Sequence, residues 1–128
     1  VLGYALMQEG ILLVNTAEDL AEDREAGLWT SALALGASRV VPVALACLVI
    51  GGGLTAGALA QWTRWASWPL AVVVLAVAVD LGRLLAQTRG AESPAVEAAI
   101  KRTARRVPAW ITGTAVAVAI GATLVARG

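Results

Sequence analysis

The sequence predicts an all-α fold, a transmembrane helical bundle, and two observations lead to this prediction. Of the 128 residues, 59% are apolar and 15% are charged, and the mean hydropathy is +0.75, values typical of a membrane protein rather than a soluble domain. The apolar residues are also gathered into long runs. Because lipid offers no hydrogen-bond partner to a free backbone group, runs that cross a bilayer must be helical.

Four apolar runs are expected to form the membrane helices. The bilayer core is about 30 Å thick and takes about 20 residues of helix, a length met or approached by residues 40–60, 70–85 and 108–126. A fourth run, residues 2–14, is shorter, and the chain starts inside it at Val1 rather than at Met. We therefore expect residues 1–128 to be part of one larger domain, with about four membrane helices here and an acidic loop over residues 15–39.

The polar residues differ between the two ends of these helices. Trp62, Trp65 and Trp68 fill the connection after the second run, and because Trp favours the membrane interface this connection is predicted to be a tight hairpin. The connections on the other side carry seven Lys and Arg residues, whereas the hairpin side carries two. Since positive residues accumulate on the cytoplasmic side, we expect an integral membrane protein of a prokaryotic plasma membrane whose acidic loop faces the cytoplasm.

Composition excludes several kinds of site. The chain has no histidine, which excludes a zinc or haem site and a Ser-His triad. Its single cysteine, Cys47, lies inside an apolar run, so no disulfide forms within the chain and an inert core residue is expected rather than a nucleophile. Neither the acidic residues 18–25 nor the basic residues 101–106 indicate a nucleic-acid partner. A metal ion here would need oxygen ligands.

The acidic segment holds the candidate catalytic residues. Asn15, Asp19 and Asp23 are spaced by four residues, so on a continuing helix their side-chain oxygens would converge on one side. An acidic run is often only a solvated surface loop. Two carboxylates and an amide at a membrane boundary, beside Arg24, nevertheless suit Mg²⁺, which prefers oxygen ligands and often bridges to a diphosphate.

The pattern N-x-x-x-D-x-x-x-D-R followed by A-G-L-x-T and L-x-L-G, over residues 15–36, resembles the second aspartate-rich motif of the UbiA superfamily of intramembrane prenyltransferases. The resemblance implies a nine-helix transmembrane fold in which this chain is the C-terminal portion, from the sixth helix onward. It implies Mg²⁺-dependent transfer of an isoprenyl group from a polyprenyl diphosphate to an acceptor, often aromatic. Asp19 and Asp23 would be metal ligands, and Asn15 would support the site.

Two departures qualify the resemblance. The family's first aspartate-rich motif belongs to an N-terminal half that this chain lacks, so the fragment alone is expected to be inactive. Family members also commonly place a basic residue before the motif's threonine, where this chain has Trp29. Arg24 is the candidate that would contact the diphosphate instead.

Several further residues have two interpretations each. Gln8 and Tyr4 fall on the same helical stripe as Asn15, where they would either contact substrate or form hydrogen bonds between helices. Asp80 and Arg83 would either pair with each other or line the substrate cavity. The basic residues 101–106 would either contact diphosphate or serve as a topology signal or an anchor for anionic lipid.

Other functions compete with prenyl transfer. In a fragment of a transporter or channel, Asp80, Arg83 and Glu9 would line an ion path and the acidic loop would be a cation vestibule. A third hypothesis is that the chain is a purely structural subunit. A CDP-alcohol phosphotransferase would need a D-G-x-x-A-R element, which is absent from the sequence.

Overall fold

The computed structural model describes residues 1–62, 64–88 and 93–127. The described chain is helical and contains no strand, which confirms the all-α prediction. Its helices, in order, are α1 (Leu2–Thr16), α2 (Leu20–Glu25), α3 (Ser31–Leu35), α4 (Ala37–Ala60), α5 (Trp68–Thr88), α6 (Pro94–Ala104) and α7 (Val107–Arg127), with short 3-10 helices at Ala17–Asp19 and Arg64–Ser67.

Three of these helices, α4, α5 and α7, are long and apolar enough to cross a membrane. Large apolar side chains remain exposed along them, among them Ile50, Leu75 and Val116, as expected for helices that face lipid. Helix α1 has 15 residues and is about 23 Å long at 1.5 Å per residue. It is shorter than α4, α5 and α7, as the short first apolar run predicts.

The four longest helices form a bundle in which α1 packs against α4 and α7, and α5 packs against α4 and α7. The interior is apolar, with Met7, Ile11, Leu48, Leu70 and Leu81 fully buried. At one end the chain passes through α2, α3 and α6. At the other end, the 3-10 helix Arg64–Ser67 joins α4 to α5, where the three indole side chains of the hairpin are exposed.

The crossing of α1 over α4 depends on glycine. A Cβ atom on Gly10 would lie 2.6 Å from the carbonyl oxygen of Ala44, and one on Gly51 would overlap the backbone nitrogen of Met7. The two backbones therefore approach more closely than any side chain would permit, as small residues allow between membrane helices. Gly53, farther along α4, has open space beside it.

The segment predicted to be a loop over residues 15–39 contains α2 and α3, and the connection after α5 contains α6. Hydropathy identifies segments long enough to cross lipid, but it does not predict short helices at the membrane surface. Helix α6 has the signals of such a helix: Ser93 caps its first turn by accepting a hydrogen bond from the backbone nitrogen of Val96 at 3.3 Å, and Pro94 follows the cap. Its apolar face, including Ile100, is buried.

Candidate functional site

The acidic segment begins where α1 ends, but it does not continue as a single α-helix. The backbone tightens into the 3-10 helix Ala17–Asp19 before α2 starts at Leu20. Residues three apart lie above one another in a 3-10 helix, and this brings both Ala17 and Leu20 into the core, at 3% and 1% exposure. Asn15, Asp19 and Asp23 therefore do not lie on one continuous α-helix. The 3-10 turn between α1 and α2, in which the two apolar residues are packed, changes the direction in which the later side chains point.

The side chains of the motif face outward from this anchored turn. Asn15 and Asp19 are exposed and Asp23 is half-buried. Within residues 1–62, 64–88 and 93–127, no ion pair involves either aspartate, and no hydrogen bond between side chains involves any of the three. Their oxygen atoms are thus available to an external ligand.

Asn15, Asp19 and Asp23 suit a magnesium ion to different degrees in residue type and in arrangement. Carboxylate and amide oxygens are the ligand type that Mg²⁺ takes. Among the residues that the structure describes, however, no group of three or more His, Cys, Asp or Glu side chains is arranged to hold a metal ion. Asp19 and Asp23 would therefore need further ligands from substrate, water or another part of the protein.

Neighbouring charges of the same segment contact α6. The ammonium of Lys101 donates a hydrogen bond to a carboxylate oxygen of Glu22, with 2.7 Å between Nζ and Oε1. This hydrogen bond holds the pKa of Glu22 below its ordinary range and raises the pKa of Lys101. Arg24, the predicted diphosphate contact, lies with its Nη1 atom 3.8 Å from Oε1 of Glu97. Helix α6 thus binds α2 through these charges, a contact that nothing in the sequence spacing indicates.

Gln8 and Tyr4 lie on α1 beneath the acidic segment, and both are partly buried. The Gln8 amide donates to the Thr114 hydroxyl across 3.0 Å, joining α1 to α7. Thr114 is itself fully buried, and its hydroxyl donates to the carbonyl oxygen of Trp110 at 3.0 Å. The interhelical role of Gln8 is therefore observed, whereas contact of Gln8 or Tyr4 with substrate stays a prediction.

Asp80 has a partner that the sequence did not indicate. The expected pair with Arg83 is present, with 3.9 Å between Nη1 and Oδ1. A closer contact comes from Arg106, whose Nη1 atom lies 2.6 Å from the same oxygen. Arg106 is 26 residues away in the sequence, and was interpreted there only as one member of a basic run. Its contact with Asp80 ties the start of α7 to α5.

The remaining candidates lie apart from the acidic segment. Cys47 is half-buried within α4, and Glu9 is exposed on α1. No protein-family model, no curated protein and no solved structure matches the chain. The likeness to the UbiA superfamily therefore depends on the motif residues alone.

Proposed function

We propose that this chain is the C-terminal part of a UbiA-type prenyltransferase, which transfers an isoprenyl group from a polyprenyl diphosphate to an acceptor inside the membrane. One observation carries the proposal. At the polar end of the bundle, Glu22 and Arg24 are engaged with α6, whereas Asp19 and Asp23 make no ion pair with any described residue. With Glu18 and Glu25, the two aspartates are therefore the acids of this segment whose carboxylates form no ion pair with a described residue.

Each motif residue has a distinct part in this proposal. Bound Mg²⁺ would neutralise charge on the diphosphate leaving group. Asp19 and Asp23 would hold the metal through their carboxylates. The Asn15 amide would hydrogen-bond to the diphosphate. Leu20 and Ala17, both buried, fix the backbone that carries these side chains. The apolar helices α4, α5 and α7 would keep water from the reacting carbon and accommodate the prenyl chain, which gains about 0.8 kcal/mol per buried CH₂.

The test is prenyl transfer by the protein that carries both aspartate-rich motifs. Asp19→Asn and Asp23→Asn should each lower turnover by about a hundredfold or more, the scale expected when one group that stabilises transition-state charge is removed. Glu25→Gln is the matched control, because Glu25 is an exposed acid of the same helix and is expected to retain activity. Near-normal turnover in both aspartate variants would exclude the assignment.

A transporter or channel fragment is the competing function. In that function Asp80, Arg83 and Glu9 would line an ion path, but Arg106 already contacts the Asp80 carboxylate at 2.6 Å. Magnesium-dependent binding of a prenyl diphosphate distinguishes the two functions, since an ion path has no need of that ligand. The prenyl-transfer assay would also identify the acceptor, which could be a quinone precursor, a haem, a chlorophyll precursor or a lipid headgroup.

A further inference from the structure

A polar cleft lies where the second half of α5 meets the second half of α6 and Arg106, just after α6. It encloses about 260 Å³. The polar side chains that line it come from both sides: Asp80, Arg83, Gln87, Arg102, Thr103 and Arg106. None of its lining residues belongs to α1 or α2, so the cleft is separate from the aspartates of the proposed catalytic site.

The cleft is positively charged. Three guanidinium groups line it with one carboxylate, which leaves two positive charges in excess. The carboxylate of Asp80 is occupied by Arg106 at 2.6 Å, and Arg83 is only at the 3.9 Å margin of an ion pair with it. Arg102 makes no ion pair with a carboxylate among the residues that the structure describes.

Among the residues that the structure describes, the acids of α2 and α6 do not supply the missing negative charge. Glu22 is bound by Lys101, and Glu97 by Arg24, on the side of α6 that faces the acidic segment. The guanidinium groups of Arg83 and Arg102 line the cleft, and within the described part of the chain no side-chain hydrogen bond from either one is present. An arginine fork matches the oxygens of a phosphate group through two parallel hydrogen bonds, and the amide of Gln87 can donate to the same group.

The position of the cleft indicates which phosphate reaches it. Arg83 is five residues before the end of α5, about 8 Å along the helix axis, which is near the depth of lipid headgroups when α5 spans the bilayer. Arginine side chains near helix ends extend to this level, and basic pockets between membrane helices bind anionic headgroups. We infer that this cleft is a binding site for a phosphate group, supplied by the headgroup of an anionic phospholipid.

The experiment measures lipid bound to the purified protein by native mass spectrometry, after reconstitution in phosphatidylcholine nanodiscs with and without phosphatidylglycerol. Arg102→Gln and Arg83→Gln should each reduce retained phosphatidylglycerol by about tenfold or more, because each would remove a hydrogen bond between charged groups. Arg105→Gln is the matched control, because Arg105 is exposed on the same basic run but does not line the cleft. It removes the same charge and should reduce retention less than either cleft variant does.

The outcomes separate the alternatives. Equal losses in Arg102→Gln and Arg105→Gln would overturn the inference, since the basic run would then attract lipid without a defined cleft. Unchanged retention in both cleft variants would also overturn it. Displacement of the lipid by inorganic phosphate, or binding of phosphate alone, would support the cleft and identify free phosphate as a second source. Because no Mg²⁺ and neither aspartate is involved, failure here leaves the proposed prenyl transfer untouched.

Discussion

The crossing of α1 over α4 and the polar end of the bundle are held together by different forces. At the crossing, Gly10 and Gly51 let two backbones touch, and the surrounding side chains, such as Met7 and Leu48, are fully buried. At the polar end, α6 is joined to α2 by the pair of Glu22 and Lys101, whose side chains are 57% and 48% exposed. Dispersion holds the first contact. The second combines apolar packing, with Ile100 and Leu20 buried, and exposed charges that salt screens.

This difference indicates how stability and mobility are distributed along the molecule. Backbone contact between close-packed helices has no alternative arrangement of similar energy, because added atoms have nowhere to go. Exposed ion pairs are weak and form readily with other partners. The polar end, where the proposed ligand sites lie, is therefore the end that can rearrange when a ligand binds.

The largest effect is expected from enlarging the crossing. Gly51→Val should destabilise the bundle by at least about 2 kcal/mol, because its Cβ would meet backbone rather than a movable side chain. The measurement is the thermal unfolding midpoint in detergent. Gly53→Ala is the control, since a Cβ there meets nothing within 4 Å, and it should be neutral or slightly stabilising because alanine favours helix. Equal unfolding midpoints for Gly51→Val and Gly53→Ala would contradict the proposal that backbone contact holds the crossing of α1 over α4.

The pair of partly buried Asp80 and exposed Arg106 should have an intermediate effect. The Asp80 side chain is 18% exposed, so Asp80→Asn should cost about 1 to 2 kcal/mol, between the values for exposed and buried ion pairs. Arg83→Gln should cost less than about 0.5 kcal/mol, because that side chain is 73% exposed and lies at 3.9 Å. A larger loss for Arg83→Gln than for Arg106→Gln would show that Arg83, and not Arg106, is the main partner of Asp80.

A smaller effect is expected for the hydrogen bond from Gln8 to Thr114. Interhelical hydrogen bonds in membrane proteins contribute about 0.6 kcal/mol on average, and this bond is 3.0 Å long. A double-mutant cycle of Gln8→Leu and Thr114→Val should give a coupling energy of that size in unfolding. If Gln8 also contacts substrate, Gln8→Leu should change acceptor preference or rate while Mg²⁺ dependence is unchanged. Unaltered kinetics toward every accepted substrate would leave only the structural role.

The smallest effect is a pH dependence in how α6 docks on α2. The hydrogen bond to Lys101 lowers the pKa of Glu22. The contribution of ionised Glu22 to the docking of α6 on α2 is therefore present above the ordinary glutamate range, and it is lost as pH falls through the lowered pKa. The same hydrogen bond raises the pKa of Lys101. The contribution of protonated Lys101 to this docking is therefore fully present below the ordinary lysine range, and it is lost as pH rises through the raised pKa.

Hydrogen exchange of the α6 amides, corrected for its intrinsic pH dependence, should therefore be constant near neutral pH and faster at both extremes. Glu22→Gln should remove both changes and leave exchange in the core of α4 unaffected. A change confined to neutral pH would contradict the assignment of this pair.

The membrane helices followed directly from the sequence because lipid imposes one strong requirement on every residue of a span. Residues 40–60 and 108–126 were predicted, and the structure gives α4 as Ala37–Ala60 and α7 as Val107–Arg127. The polar end was predicted less well. Its short helices depend on capping and packing, and the 3-10 helix at Ala17–Asp19 depends on burial of Leu20, which no spacing rule specifies.

The candidate site divides in the same way. The sequence identified Asn15, Asp19 and Asp23 as unusual for their residue type and spacing. It could not show that Glu22 and Arg24 are taken up by α6, because their partners are more than 70 residues away in the chain. The contact of Asp80 with Arg106 was missed for the same reason, since long-range ion pairs leave no periodic signal.

The most direct test of the proposed function is metal binding itself, measured by electron paramagnetic resonance of Mn²⁺ in place of Mg²⁺, with geranyl diphosphate present. In the protein with both aspartate-rich motifs, bound Mn²⁺ should appear only with the diphosphate. It should be lost in a variant that combines Asp19→Asn and Asp23→Asn. Glu22→Gln and Arg102→Gln should retain it, because those residues serve the α6 contact and the separate cleft. An unchanged Mn²⁺ signal in the double aspartate variant would contradict the account.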